Sequence, residues 1–209
     1  MEFYPKDIDT YYTIEDVKRA EIKVKGSRFV ATVAPTADLE ASAKFLEQMR
    51  AEYFDATHNC YAYRIGWDGN LFRAADDGEP AGSAGKPILF TLDKYNFQDV
   101  TVVVTRYYGG TKLGVGGLVR AYSESAEEAL KLCTPKIIHR TESLSLTCSY
   151  EELSFAKRML DEYAVRYDEQ YTDKIEFLAD IPISKAGLFI SQLFSLSQGK
   201  LTAQKLKNV

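Results

Sequence analysis

The chain has 209 residues with 26 basic and 30 acidic side chains, a net charge of −4, which excludes a general nucleic-acid coat protein but leaves room for a local basic cleft. Cys60, Cys133 and Cys148 are odd in number, far apart and form no CxxC pair, which fits reduced thiols better than a disulfide framework. Residues 1–6 lack a signal peptide's basic-then-apolar pattern and no apolar run reaches the roughly 20 residues that span a bilayer, so the expected location is cytoplasmic, with no membrane partner.

In chain order, Ile22, Val24, Phe29, Val30 and Val33 predict a strand or hairpin arm over residues 20–35. Leu39, Ala43, Leu46 and Met49 follow helical spacing and predict an amphipathic helix over 37–53. Asn59–Ile65 and Leu71–Ala75 read as a hairpin turned by Gly66-Trp67-Asp68-Gly69-Asn70. Residues 87–94 predict a helix, and Val100–Thr105 predicts a β-branched strand buried on both faces. From near Leu118 to Cys133, Leu118, Tyr122, Ala126 and Leu130 recur every fourth residue as in a helix. Thr134-Pro135 ends it, and a domain boundary is placed there, dividing the chain into 1–135 and 136–209. The second domain reads strand 143–150, helix 151–163, strand 165–171, strand 174–182 and helix 184–197. This βαββα order is the greater part of a ferredoxin-like fold.

The most informative stretch runs from Gly109 to Tyr122. Gly109, Gly110, Gly114, Gly116 and Gly117 lie with Lys112 between the buried strand and the long helix, flanked by Arg106 and Arg120. No Asp or Glu occurs between Asp99 and Glu124. A glycine loop entering a helix offers unpaired N–H groups and the positive end of the helix dipole, an arrangement that attracts phosphate or carboxylate. Neither a Walker loop nor the dinucleotide fingerprint fits, because Val119 stands where the latter needs its third glycine. The alternative is that these glycines only shape a turn and permit close helix–sheet packing.

Upstream, Asp76, Asp77 and Glu79 form a compact carboxylate cluster. They would hold Mg²⁺ against a bound phosphate, build a turn, or pair with Arg28, Arg64 or Arg73. Gly82-Ser83-Ala84-Gly85 is a candidate second helix start, with Ser83 as cap or phosphate ligand and Lys86 beside it. Were the two glycine segments neighbours, Lys86, Lys112 and Arg106 would share one anion pocket. His58 and Cys60 share a strand face, as a nucleophile pair or as packing, with no third orienting group in view. His139 has no evident partner. Tyr61, Tyr63, Trp67, Phe72, Tyr107 and Tyr108 lie near basic positions, where aromatics stack RNA bases or fill a core.

Four blocks resemble the YigZ/IMPACT family: Gly26-Ser27-Arg28-Phe29, His58–Gly66, Asp76–Pro87 with Ser83 where threonine is usual, and Val104–Tyr122 around the glycine loop. The resemblance implies a two-domain α+β fold. Its N-terminal half is similar to a ribosomal-protein domain and to GHMP kinases, a mostly antiparallel sheet with helices on one face. Its C-terminal half is ferredoxin-like, similar to the last domain of elongation factor G. It also implies translation regulation. Eukaryotic relatives restrain an initiation-factor kinase by competing for its activator, through additional regions not matched in this chain. The expected function is a non-catalytic binder of RNA, ribosome or a translation-associated protein, with no catalytic residue and no cofactor. The alternatives are a Mg²⁺-dependent phosphoester or nucleotide enzyme using Asp76, Asp77 and Glu79, and a protein-interaction module with structural glycines.

Overall fold

The computed structural model describes residues 7–206; the N-terminal hexapeptide lies outside the described residues. Two compact units emerge, one of residues 11–138 and one of residues 7–10 with 139–206. The first carries β1 (Thr10–Ile14), β2 (Lys18–Val24), β3 (Ser27–Pro35), α1 (Leu39–Glu52), β4 (His58–Ile65), β5 (Leu71–Ala75), α2 (Gly85–Tyr95), β6 (Val100–Tyr107), α3 (Val115–Lys131) and β7 (Pro135–His139). Its main sheet has the order β2-β3-β6-β4-β5, antiparallel at every step, while β1 and β7 form a separate pair. β2 and β3 are joined by Lys25-Gly26, whose φ values of 44° and 82° are both positive. A two-residue turn of that hand matches the twist of its strands.

The sheet is covered on both faces, which accounts for its long apolar runs. Phe29, Ala31 and Val33 of β3 and Val100, Val102 and Val104 of β6 pack with Ile88 and Leu92 of α2 and Tyr122 and Ala126 of α3. The alternate positions Val30, Ala34 and Val103 meet Phe45 and Met49 of α1. The expectation of helices on one face therefore holds for α2 and α3, and α1 adds a cover on the other. A buried hydroxyl chain helps hold α1 there: Thr101 Oγ1 lies 2.9 Å from Ser42 Oγ and 2.8 Å from Thr36 Oγ1.

The second unit contains β8 (Thr141–Cys148), α4 (Leu153–Tyr163), β9 (Arg166–Tyr171), β10 (Ile175–Pro182), α5 (Ile183–Leu196) and β11 (Ala203–Lys205). Strand order is β11-β8-β10-β9, with antiparallel neighbours. The expected βαββα elements are all present, and β11 adds a last strand beside β8. Leu144, Leu160, Ile175, Phe177, Phe189 and Leu193 form its core. The long helix ends at Lys131 with Leu132 as its C-cap, short of Thr134-Pro135, and Pro135 opens β7, a position a strand tolerates because its first residue need not donate. Among the described residues no helix is long and apolar enough to cross a membrane.

Thr101→Val removes the middle of the hydroxyl chain and leaves Ser42 and Thr36 without their partner. A loss of about 1–3 kcal/mol is expected from urea unfolding midpoints.

Candidate functional site

β6 ends by delivering Arg106, Tyr107 and Tyr108 to the glycine loop. The loop's glycines divide by what surrounds them. A Cβ on Gly109 would meet the Gly26 carbonyl carbon at 1.9 Å, so this residue lets the loop lie directly on the β2–β3 turn. Its N–H donates to Ser27 Oγ at 3.2 Å. Gly110 and Gly114 have φ of +81° and +71°, with open space where a side chain would be. Gly116 also faces open space, while a Cβ on Gly117 would lie 3.1 Å from the Leu113 Cβ.

Gly114 is the N-cap of α3, with no side-chain cap and no acidic residue in the first turn. α3 begins at Val115 rather than near Leu118, because Gly116 and Gly117 are helical despite their low propensity. The other two helices of this unit differ. Asp38 Oδ1 accepts the Ala41 N–H at 2.7 Å and caps α1. Asp76 serves α2: its Oδ1 accepts from Ala84 N at 3.0 Å and Gly85 N at 2.8 Å, and its Oδ2 accepts from Gly82 N at 2.7 Å. Burial works to raise the Asp76 carboxyl, but these backbone donors and Lys86 outweigh it and hold the group below its usual range.

Beside the α3 start is a cavity of about 470 Å³, bounded by Glu79, Pro80, Arg106, Tyr108, Lys112 and Gly114 with the apolar Leu113, Val115 and Leu118. Its floor is polar and buried. Glu79 Oε1 accepts from Arg106 Nη1 at 2.5 Å and from the Tyr122 hydroxyl at 2.8 Å, and His58 Nε2 lies 3.8 Å away. His58 Nδ1 donates to the Asp77 carbonyl at 2.8 Å. The Arg106 guanidinium lies over the rings of Phe29 and Tyr108, 5.4 and 5.5 Å from their centroids, and donates to Ser27 Oγ at 3.3 Å.

Several sequence expectations are redirected by this geometry. Arg106, Lys112 and Gly114 come together, joined by Glu79. Lys86 and Ser83 do not join them: Asp76 occupies the α2 start, Ala84 is its N-cap, and the Ser83 hydroxyl is buried with no partner among the described residues. Arg120 lies by a separate cleft of about 190 Å³ with Lys25, Leu113, Gly117 and Glu124. Of the carboxylates, only Glu79 pairs with an arginine, and that arginine is Arg106; Arg28 pairs with Glu21 and Arg64 with Asp93. Asp77, at φ 45°, accepts the Asn59 N–H at 2.7 Å. Backbone N–H groups and Arg106 thus engage all three carboxylates, and among the described residues no three His, Cys, Asp or Glu side chains are grouped to hold a metal. Cys60 lies 3.0 Å from the Asp76 carbonyl and 3.3 Å from the Tyr122 hydroxyl, and burial pushes its thiol up to about 12, which suits packing and not nucleophilic attack. Burial likewise raises the Tyr122 phenol. Sequence reasoning did not assign Ser27, Pro80 and Tyr122 to the site, although each lies in one of the motif blocks: Gly26–Phe29, Asp76–Pro87 and Val104–Tyr122.

Two tests follow from the loop and the caps. Gly109→Ala should lower stability by about 3 kcal/mol through overpacking, whereas Gly116→Ala should raise it by about 0.5–1 kcal/mol, both read by urea unfolding. Because the Asp76 carboxyl is depressed in the folded state, its contribution is complete above its ordinary value of 3.8 and disappears as pH falls through the lower folded value. Asp76→Asn should therefore lower stability at neutral pH and flatten the acid limb of a stability–pH profile.

Residues 25–130 match the Impact N-terminal domain, a span that holds the Gly26 turn, the Asp76 cap and the glycine loop. The chain is 32% identical to the IMPACT family member YvyE of Bacillus subtilis over 194 residues, covering 92% of this chain and 89% of the relative. It is 36% identical to the IMPACT family member YigZ of Escherichia coli over 182 residues, covering 86% and 89%. A crystal structure described as that of a hypothetical protein superposes with a TM-score of 0.68 at 32% identity, covering 96% of this chain and 99% of its own. With its loop, caps and both units inside these matches, the chain belongs to the IMPACT family.

Proposed function

We propose that this protein is a non-catalytic regulator of translation that binds RNA, free or within the ribosome, at the start of α3. The observation that carries the reading is the contrast among helix starts: α1 and α2 are capped by Asp38 and Asp76, while α3 opens without a side-chain cap beside Lys112. Phosphate suits such a position, since backbone N–H groups and the helix dipole both favour it. Tyr108, 47% exposed at the cavity wall, offers a face on which a base stacks. Lys25 and Arg120, with Glu124 beside them, line a second cleft that shares Leu113 and Gly117 with the loop and offers two further cations to a strand. The connection with translation rests on the family resemblance. The engagement of Asp76, Asp77 and Glu79 by backbone and arginine groups favours binding over metal-assisted phosphoester chemistry.

Co-sedimentation with ribosomes and with free single-stranded RNA at stepped salt tests the reading. Affinity should fall linearly in a log–log plot, and Lys112→Ala should reduce the slope by about 0.7, the value for one lost phosphate contact on a single strand. Tyr108→Ala should weaken binding by about 1–3 kcal/mol without changing the slope. Absence of RNA and ribosome binding at low salt overturns the reading, and ribosome binding without RNA binding transfers it to a protein partner.

A further inference from the structure

Glu79 is out of place in an anion site. Its carboxylate lines the same cavity as Lys112 and the α3 start, where it repels a second negative charge. Its bonding is lopsided: Arg106, Tyr122 and His58 all crowd Oε1, and among the described residues Oε2 accepts no hydrogen bond. Arg106 Nε is buried and has no acceptor among the described residues. Both residues are more than nine-tenths buried, at 9% and 5% exposure. Oε2 is not among the fully buried atoms, so it is open to the cavity and free to accept from a ligand. The ligand that fits therefore carries an anionic group for Lys112 and the α3 N–H groups, a neutral hydrogen-bond donor for Glu79 Oε2 and a flat face for Tyr108, which line one cavity.

A ribonucleotide carries all three groups: a phosphate, a base and, on the ribose that joins them, a 2′-hydroxyl. Carboxylates recognise ribose hydroxyls in dinucleotide sites for the same reason, since an ionised acid accepts and cannot donate. A deoxyribonucleotide keeps the phosphate and base but leaves Oε2 unpaired. We infer that the cavity seats one ribonucleotide of a bound strand with its 2′-hydroxyl donating to Glu79, and that this contact makes the protein select RNA over DNA. The inference rests on the RNA-binding reading above and adds to it the group that distinguishes the two nucleic acids.

The test is fluorescence anisotropy of the full chain with short oligouridylate, oligodeoxyuridylate and 2′-O-methyl oligouridylate at one low salt concentration. A hydrogen bond to a charged group predicts at least about tenfold weaker binding of the deoxy and methylated strands. Equal affinity for all three overturns this inference and leaves RNA binding standing; no binding of any strand overturns both. In Glu79→Gln, with folding checked by circular dichroism, the RNA preference should shrink toward equality, because an amide oxygen accepts more weakly than a carboxylate. An unchanged preference in that variant overturns the assignment to Glu79. The wild-type series decides by itself if Glu79→Gln does not fold.

Discussion

Arg106 and Glu79 meet almost wholly out of water, and four elements of the first unit are tied to that meeting. Arg106 comes from β6 and reaches Ser27 and Phe29 of β3; Glu79 takes the Tyr122 hydroxyl from α3 and faces His58 of β4. Desolvating both charges is costly, and an apolar pair of equal volume would often be as stable. Removing either partner alone is another matter, since an uncompensated charge would then be buried under the loop. The pair thus acts less as a source of stability than as a geometrical condition: β3, β4, β6 and α3 must be registered together for both charges to be satisfied.

The glycines above the pair serve two opposite purposes. Gly26 and Gly109 stack backbone on backbone, and Gly85 brings the start of α2 against Ala75, where a Cβ would lie 2.5 Å from its nitrogen. A Cβ on Gly110, Gly114 or Gly116 would meet nothing within 4 Å, so their outer side is left bare. One group fixes where the loop sits and the other determines how closely something may approach it. A run of glycines in sequence shows neither assignment, because the difference lies in what the rest of the chain places nearby.

That distinction also explains what could be read from the residues alone. Periodicity located the long elements well: the Val100 strand, the Leu39 helix and the elements of the second unit lie close to their expected positions. β1, β7 and β11 were not legible, being five, five and three residues long and only partly buried. The side of the sheet that α1 covers was not legible either, since an amphipathic stripe says that a face is buried and not against what. In the site, Arg106 and Lys112 were readable as neighbours because six residues of chain join them. The partners of the carboxylates were not, because Glu79 finds Arg106 and Tyr122 at separations of 27 and 43 residues. Asp76 was legible as a turn acid but not as the cap of α2, a role that depends on how the intervening loop folds back.

Asp76 has a consequence for competition in solution. A carboxylate tethered a few residues from the α2 start is present there at an effective concentration that a small anion in the surrounding medium does not match. The helix end is in this sense self-inhibited, and Asp38 does the same for α1. Free phosphates, acidic peptides and nucleic acids therefore find two of the three helix starts in this unit already taken by the chain itself. An anion competing for either of those two starts must displace a carboxylate that the chain itself holds in place.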